Sequence, residues 1–192
     1  MALWARILAA VPGSKLLMKD RSGTLGYTTR RRYVEDVFRY HGIEADRLEL
    51  CGKEPDYGKH LACYGRVDVV LDPFPYNGTT TTCEALWMGV PVVTLAGKTH
   101  VSRVGASILS AIDMRSMVAA TPDEYVNKAV ALGRDKDELA FLRETLRHRM
   151  SRSPLTDAKR FTRELEKLYR QMWVRWCAVA DRAAGPVVSM RE

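Results

Sequence analysis

The stretch from Val67 to Ser107 constrains the fold more than any other part of the chain. An apolar run, Val67–Leu71, is interrupted only by Asp68, and a second β-branched run, Val90–Leu95, follows further on. Between them lie the turn Asp72-Pro73-Phe74-Pro75-Tyr76-Asn77-Gly78, four threonines, and a helical pattern, Glu84–Met88, closed by Gly89. Short apolar runs bounded by turn residues and separated by a helix predict a parallel β-α-β unit covered on both faces. Asn77-Gly78 gives the backbone a place to take positive φ and to approach a ligand closely. Thr79, Thr80, Thr81 and Thr82 follow at the helix start, where free N–H groups and the helix dipole suit an anion, most naturally phosphate. Open α/β sheets hold ligands beyond the carboxyl ends of their strands, which is where this turn falls. A simpler use competes: Thr81 and Glu84 match a Thr-x-x-Glu capping box. Both uses stay open at this point.

The flanking sequence repeats the alternation. Leu3, Trp4, Ile7, Leu8 and Val11 recur at helical spacing until Pro12-Gly13, and Lys15–Lys19 reads as a short strand. A polar loop over 21–29 leads to a helix at Arg30–His41, a strand at Arg47–Leu50, a loop at Cys51–Gly58 and a short helix at His60–Tyr64. Beyond the central unit, a helix is expected at Val101–Ile112 and a weak strand at Ser116–Ala119. Thr121-Pro122-Asp123-Glu124 combines an N-cap threonine, a proline at the first helical position and a glutamate at the third. Helices follow at Asp123–Leu132, Lys136–Met150 and Asp157–Trp176. The last carries Phe161, Leu165, Leu168 and Met172 on one stripe, expected to pack into the core. The expected fold class is α/β, a doubly wound, Rossmann-like parallel sheet with a helical C-terminal extension. Residues 1–180 form one unit and 181–192 a loose tail.

Composition narrows the function classes. At 192 residues the chain is long enough for one domain with a real core. A net charge of +7 suits an anionic ligand, but without nucleic-acid motifs or interleaved aromatic and basic residues, nucleic-acid binding is not expected. Cys51, Cys63, Cys83 and Cys177 show no C-x-x-C spacing and are expected to be reduced thiols, with no metal site. No apolar run reaches membrane-spanning length and no signal-peptide layout is present, so no membrane partner and a cytoplasmic location are expected.

The motif DPFPYNGTTTTCEALWMGVPVVTLAGKTHVSRVGAS resembles the signature of the C-terminal catalytic half of bacterial SPINDLY/O-GlcNAc-transferase-type protein glycosyltransferases. The similarity extends from LWARILAAVPGSKLLMK through HLACYGRVDVVLD to SPLTDAKRFTRELEKLYRQMW. It implies the C-terminal half of a GT-B fold, in which two Rossmann-like halves face a cleft. It further implies inverting transfer of N-acetylglucosamine from UDP-GlcNAc to Ser/Thr of proteins, without an obligatory metal or other cofactor. By this resemblance His60 packs against the uracil, Thr79, Thr80 and Thr81 meet the diphosphate, and Glu84 holds the ribose hydroxyls. Asn77 and Gly78 shape the turn, and Lys98 and Arg103 either approach the phosphates or stay solvated. Animal members carry a histidine where this chain has Thr79.

The resemblance also places a central strand and a lysine-bearing turn ahead of position 1, followed upstream by an N-terminal half and acceptor-recognising repeats. That lysine stabilises the leaving UDP. The expectation is therefore a nucleotide-sugar-binding portion, inactive alone, with no secure catalytic residue of its own. A separate chain supplying the N-terminal half is a candidate partner. The alternative is a UDP-sugar-binding or partner-docking module without transferase activity.

Overall fold

The computed structural model describes residues 1–20 and 23–184. Within them the chain runs α1 (Ala2–Ala10), β1 (Leu16–Lys19), α2 (Thr28–Tyr40), β2 (Leu48–Cys51), α3 (Tyr57–Ala62), β3 (Val70–Leu71), α4 (Thr80–Trp87), β4 (Val92–Leu95), α5 (Val104–Ala111), β5 (Val118–Ala119), α6 (Pro122–Arg134), α7 (Lys136–Ser151) and α8 (Ala158–Ala184). Every strand pair is parallel. The fold is the expected Rossmann-like α/β arrangement, with boundaries moved by a few residues. The central strand keeps only Val70 and Leu71 of the expected run in register with β4. Thr121 caps α6 as expected, its hydroxyl accepting the Glu124 N–H at 3.2 Å.

The strands form two pieces, β2–β1 and β3–β4–β5, and β1 and β3 are not paired with each other. Two apolar cores follow the same division. Phe38, Val34, Leu25 and Leu50 close one around α2 and the first sheet piece; Leu86, Val92, Val93, Leu109 and Leu146 close the other around β4. Helix α1 joins them: Ile7 belongs to the larger core, Ala5 and Leu8 to the smaller, and Trp4 packs against both. The carbonyls at the C-terminal end of α1 have no partner within the helix. Arg47 takes those of Leu8 (3.0 Å) and Val11 (3.2 Å), and Arg134 that of Ala10 (2.6 Å). One arginine from each piece thus ties down the joining helix.

Helix α8 departs from expectation. Phe161, Leu168 and Met172 are not core residues: they are 62%, 55% and 63% exposed, and Trp173, Trp176 and Val179 beside them are equally open. The stripe is amphipathic as its spacing required, but no element described here covers it. Amphipathic periodicity shows that a face can be buried; it does not supply the partner. Residues 21 and 22 of the expected loop, and the expected tail from 185 onward, lie outside the described residues.

Phe38 and Phe161 should therefore respond very differently to truncation. Phe38→Ala, at a fully buried position, should cost about 3–5 kcal/mol of unfolding free energy. Phe161→Ala should stay within about 0.5 kcal/mol. Urea denaturation of both variants checks this, and equal losses would return α8 to the core.

Candidate functional site

The site is built on a buried carboxylate. Asp72 follows directly on β3 and is 1% exposed. Its Oδ1 accepts the Gly78 N–H at 2.8 Å and its Oδ2 the Thr94 hydroxyl at 2.5 Å. The Asp72 carbonyl takes the Tyr125 hydroxyl at 3.1 Å, which in turn accepts the Trp4 indole N–H at 3.1 Å. The turn that leaves β3 is thereby folded back onto the strand it came from. Burial pushes the Asp72 carboxyl above the ordinary aspartate range, with the bonds from Thr94 and Gly78 opposing that rise.

Asn77 is also buried, at 1% exposure. Its amide donates to the Pro73 carbonyl at 3.0 Å, and its backbone N–H to the Val101 carbonyl at 2.9 Å. Its side chain is spent on the turn and does not face outward. Gly78 is required by proximity: a methyl there would sit 2.6 Å from Thr81 Oγ1 and 2.8 Å from Thr82 Oγ1. A methyl at Gly105 would collide with the Asp72 carboxylate and the Thr94 hydroxyl. Helix α5 can therefore lie against the turn only with glycine there.

Helix α4 starts from this fixed turn. Thr79 occupies the N-cap position without a side-chain cap, and Thr79, Thr80 and Thr81 are exposed. Thr82 is buried and donates back to the Gly78 carbonyl at 3.0 Å. The Thr81–Glu84 capping box does not form. Glu84 meets α3 and the turn after it: Tyr57 donates to Oε1 at 3.1 Å, His60 Nε2 lies 3.0 Å from Oε2, and the Tyr64 hydroxyl is shared between the Thr81 carbonyl at 3.2 Å and Oε2 at 3.4 Å. The Glu84 side chain is 11% exposed and that of His60 25%. The His60 ring neighbours those of Tyr57 and Tyr64, with centroids 6.0 and 5.9 Å away. The Glu84 hydrogen bond raises the Tyr57 phenol, and burial foremost, then Glu84, raises that of Tyr64. Both phenols therefore remain donors at neutral pH.

The structure brings His60 and Glu84 together. Arg103 lines an open cleft of about 660 Å³ with Thr79, His100 and Ser107. The Arg103 guanidinium donates to the Gly97 carbonyl at 3.1 Å. Lys98 is exposed. Sequence reasoning missed Lys19, Tyr57, Tyr64, Asp72 and His100. Positions 57, 60 and 64 share one helical face by spacing, which was the legible signal for the tyrosines. Among the described residues, no group of three or more His, Cys, Asp or Glu is placed to hold a metal ion. No helix among them is long and apolar enough to cross a membrane. All four cysteines are free.

Open α/β sheets hold ligands beyond the carboxyl ends of their strands, and the exposed start of α4 follows the turn that leaves β3. Residues 1–165 match Glycosyl transferase family 41, and the chain belongs to that family. It is 42% identical over 192 residues to a tomato (Solanum lycopersicum) protein described as a probable UDP-N-acetylglucosamine--peptide N-acetylglucosaminyltransferase SPINDLY, matching 100% of this chain and 20% of the relative. A Caenorhabditis elegans UDP-N-acetylglucosamine--peptide N-acetylglucosaminyltransferase is 34% identical over 177 residues, or 91% of this chain and 15% of the relative. A solved O-GlcNAc transferase mutant from Thermobaculum terrenum superposes with a TM-score of 0.84 at 39% identity, covering 93% of this chain and 34% of that one. The chain thus spans only a fifth of the length of its first plant relative.

The buried carboxylate should leave a signature in stability. A carboxyl whose value is raised by folding binds its proton more readily folded than unfolded, so its contribution is most favourable in acid and is lost as pH rises through the raised value. The stability of the wild type relative to Asp72→Asn should therefore fall as pH rises from about 4 toward neutrality. Urea denaturation of both proteins across that range checks it; a flat difference would contradict the burial effect.

Proposed function

We propose that this chain is the nucleotide-sugar-binding portion of an inverting protein O-GlcNAc transferase, acting on UDP-GlcNAc and on Ser/Thr of protein acceptors. The observation that carries this is the contact between His60 on α3 and Glu84 on α4, the helix whose uncapped start follows the turn after β3. In this reading Glu84 accepts the two ribose hydroxyls, since an ionised carboxylate offers acceptors on both oxygens. His60, beside its two tyrosines, packs on the uracil. The α4 N–H groups and the hydroxyls of Thr79, Thr80 and Thr81 meet the diphosphate through the helix dipole. Asn77 and Gly78 hold the turn in shape, and Arg103 and Lys98 add positive charge near the phosphates. No metal is needed in this scheme, and no residue of this chain is assigned a catalytic role.

Transfer requires an acceptor hydroxyl to displace UDP while the charge on the leaving diphosphate is stabilised. The unpaired edges of β1 and β3 and the uncovered face of α8 support a reading in which a further half, on the same or a separate chain, completes the catalytic body. Acceptor recognition lies with repeats beyond the matched region. Residues 1–180 act as one unit, in the cytoplasm. The open α8 face equally favours a second reading, a UDP-sugar-binding or docking module without transfer.

Calorimetric titration with UDP tests the binding site. Saturable binding is expected, weakened at least about tenfold by Glu84→Ala, since a bond to a charged group is worth about 1.5–3 kcal/mol. A His60→Ala, Glu84→Ala double variant should abolish binding. Failure of the folded wild-type chain to bind UDP would overturn the proposal, and enzyme-like transfer of N-acetylglucosamine to a peptide by the chain alone would overturn its incompleteness.

A further inference from the structure

Lys19 ends β1, in the smaller sheet piece, and reaches across to the site. Its ammonium nitrogen lies 2.9 Å from His60 Nδ1 and 3.6 Å from Cys63 Sγ. An ammonium group has three N–H donors and no lone pair, so in this contact it can only donate. His60 Nδ1 must then accept and carry no hydrogen, which leaves the ring proton on Nε2. Nε2 faces Glu84 Oε2 at 3.0 Å, and an ionised carboxylate can only accept. Each group in the line Lys19–His60–Glu84 therefore has one hydrogen-bonding role compatible with its neighbours.

We propose that Lys19 is a positioning residue for the nucleotide site: it fixes His60 in the Nε2–H tautomer, and His60 in turn holds the Glu84 carboxylate in its binding orientation. This rests on the assignment of Glu84 and His60 to the nucleotide. The groups facing the imidazole are Lys19 from β1, Tyr57 and Tyr64 from α3 and the turn after it, and Glu84 from α4; Cys63 touches Lys19. Tyr57 and Tyr64 donate whichever nitrogen of His60 is protonated, so the tyrosines do not select the tautomer. Glu84 at Nε2 and Lys19 at Nδ1 both require it, and Lys19 is the one that holds Nδ1 free of hydrogen. A glutamate has three rotatable side-chain bonds, and fixing them before a diol arrives removes an ordering cost from binding. Because Lys19 belongs to β1 and Glu84 to α4, the relay also makes the geometry of the site depend on how the two sheet pieces sit together.

The test uses the full chain, with UDP as the probe, in wild type, Lys19→Met, Lys19→Arg, His60→Ala and Lys19→Met/His60→Ala. Lys19→Met should weaken UDP binding about three- to tenfold, a coupling of ordinary size for groups in one hydrogen-bonded network. In the His60→Ala background the same substitution should change affinity less than about twofold, because its route to Glu84 has gone. Lys19→Arg, which also only donates, should recover most of the loss. Nitrogen-15 NMR of the His60 ring should show hydrogen on Nε2 and a bare, hydrogen-bonded Nδ1 in wild type and Lys19→Arg, with the Nδ1 resonance displaced in Lys19→Met. Equal weakening with and without the His60 ring would make Lys19 a direct ligand contact and overturn the proposal. So would a hydrogen on Nδ1 in the wild type, or a Lys19→Met variant that binds UDP as the wild type does. Absence of UDP binding by the wild type would instead overturn the nucleotide assignment, and the ring NMR would still decide the tautomer.

Discussion

A carboxylate removed from water beneath the Asn77-Gly78 turn is the constraint on which the rest of the site depends. An aspartate at 1% exposure is tolerable only when its oxygens are hydrogen-bonded, and here both are. One bond runs forward to the turn that follows β3, the other sideways to Thr94 on β4. Together they fix the exit from the strand relative to its neighbour. Gly78 and Gly105 have no side chain because the space theirs would fill is occupied by the threonine hydroxyls and this carboxylate. The helix that begins at Thr80 consequently starts from a rigid point.

That rigidity explains why Glu84 is free for other work. A glutamate three residues after a threonine at a helix start ordinarily bends back to cap it. Here the turn is already satisfied by Asp72 and Asn77, and the partners of Glu84 lie on a different segment. The carboxylate is drawn outward to Tyr57, His60 and Tyr64, where three donors from α3 and its following turn compete for it. Its environment is therefore one in which incoming hydroxyl groups would exchange with protein donors already in place.

Much of this was legible in the residues. The β-α-β unit, the parallel pairing and the Thr121 cap all followed from spacing and turn chemistry, whereas the positive φ expected at Asn77-Gly78 does not occur. Lys19 was read only as the end of a strand. Its role depends on the strand lying beside α3, and long-range placement is not encoded in local periodicity. Asp72 looked like an ordinary turn residue because Asp-Pro pairs favour turns; its burial comes from Thr94, Tyr125 and Gly105, all distant in sequence. The capping-box motif around Thr81 was a correct local pattern overridden by tertiary contacts. The α8 stripe was a correct period with a wrong destination.

The α8 result and the divided sheet have a common physical form. A parallel strand buried on both faces ordinarily has a neighbour on each side, and an amphipathic helix ordinarily has something against its apolar stripe. Among the described residues β1 and β3 each have a strand on one side alone, while Trp173 and Trp176 stack on each other at 5.3 Å in the open. The cores themselves are not deficient: Phe38, Leu86, Val92 and Leu146 are fully buried. Loose packing therefore does not account for the unpaired edges and the exposed helix face. They are local surfaces left over after two complete cores have formed, and α1, held by Arg47 and Arg134, contributes side chains to both cores. A relay that runs from β1 through His60 to α4 crosses the same division. In such a fold, whatever settles β1 against β3 also settles Lys19 against Glu84, so the completeness of the sheet and the readiness of the site are one structural question.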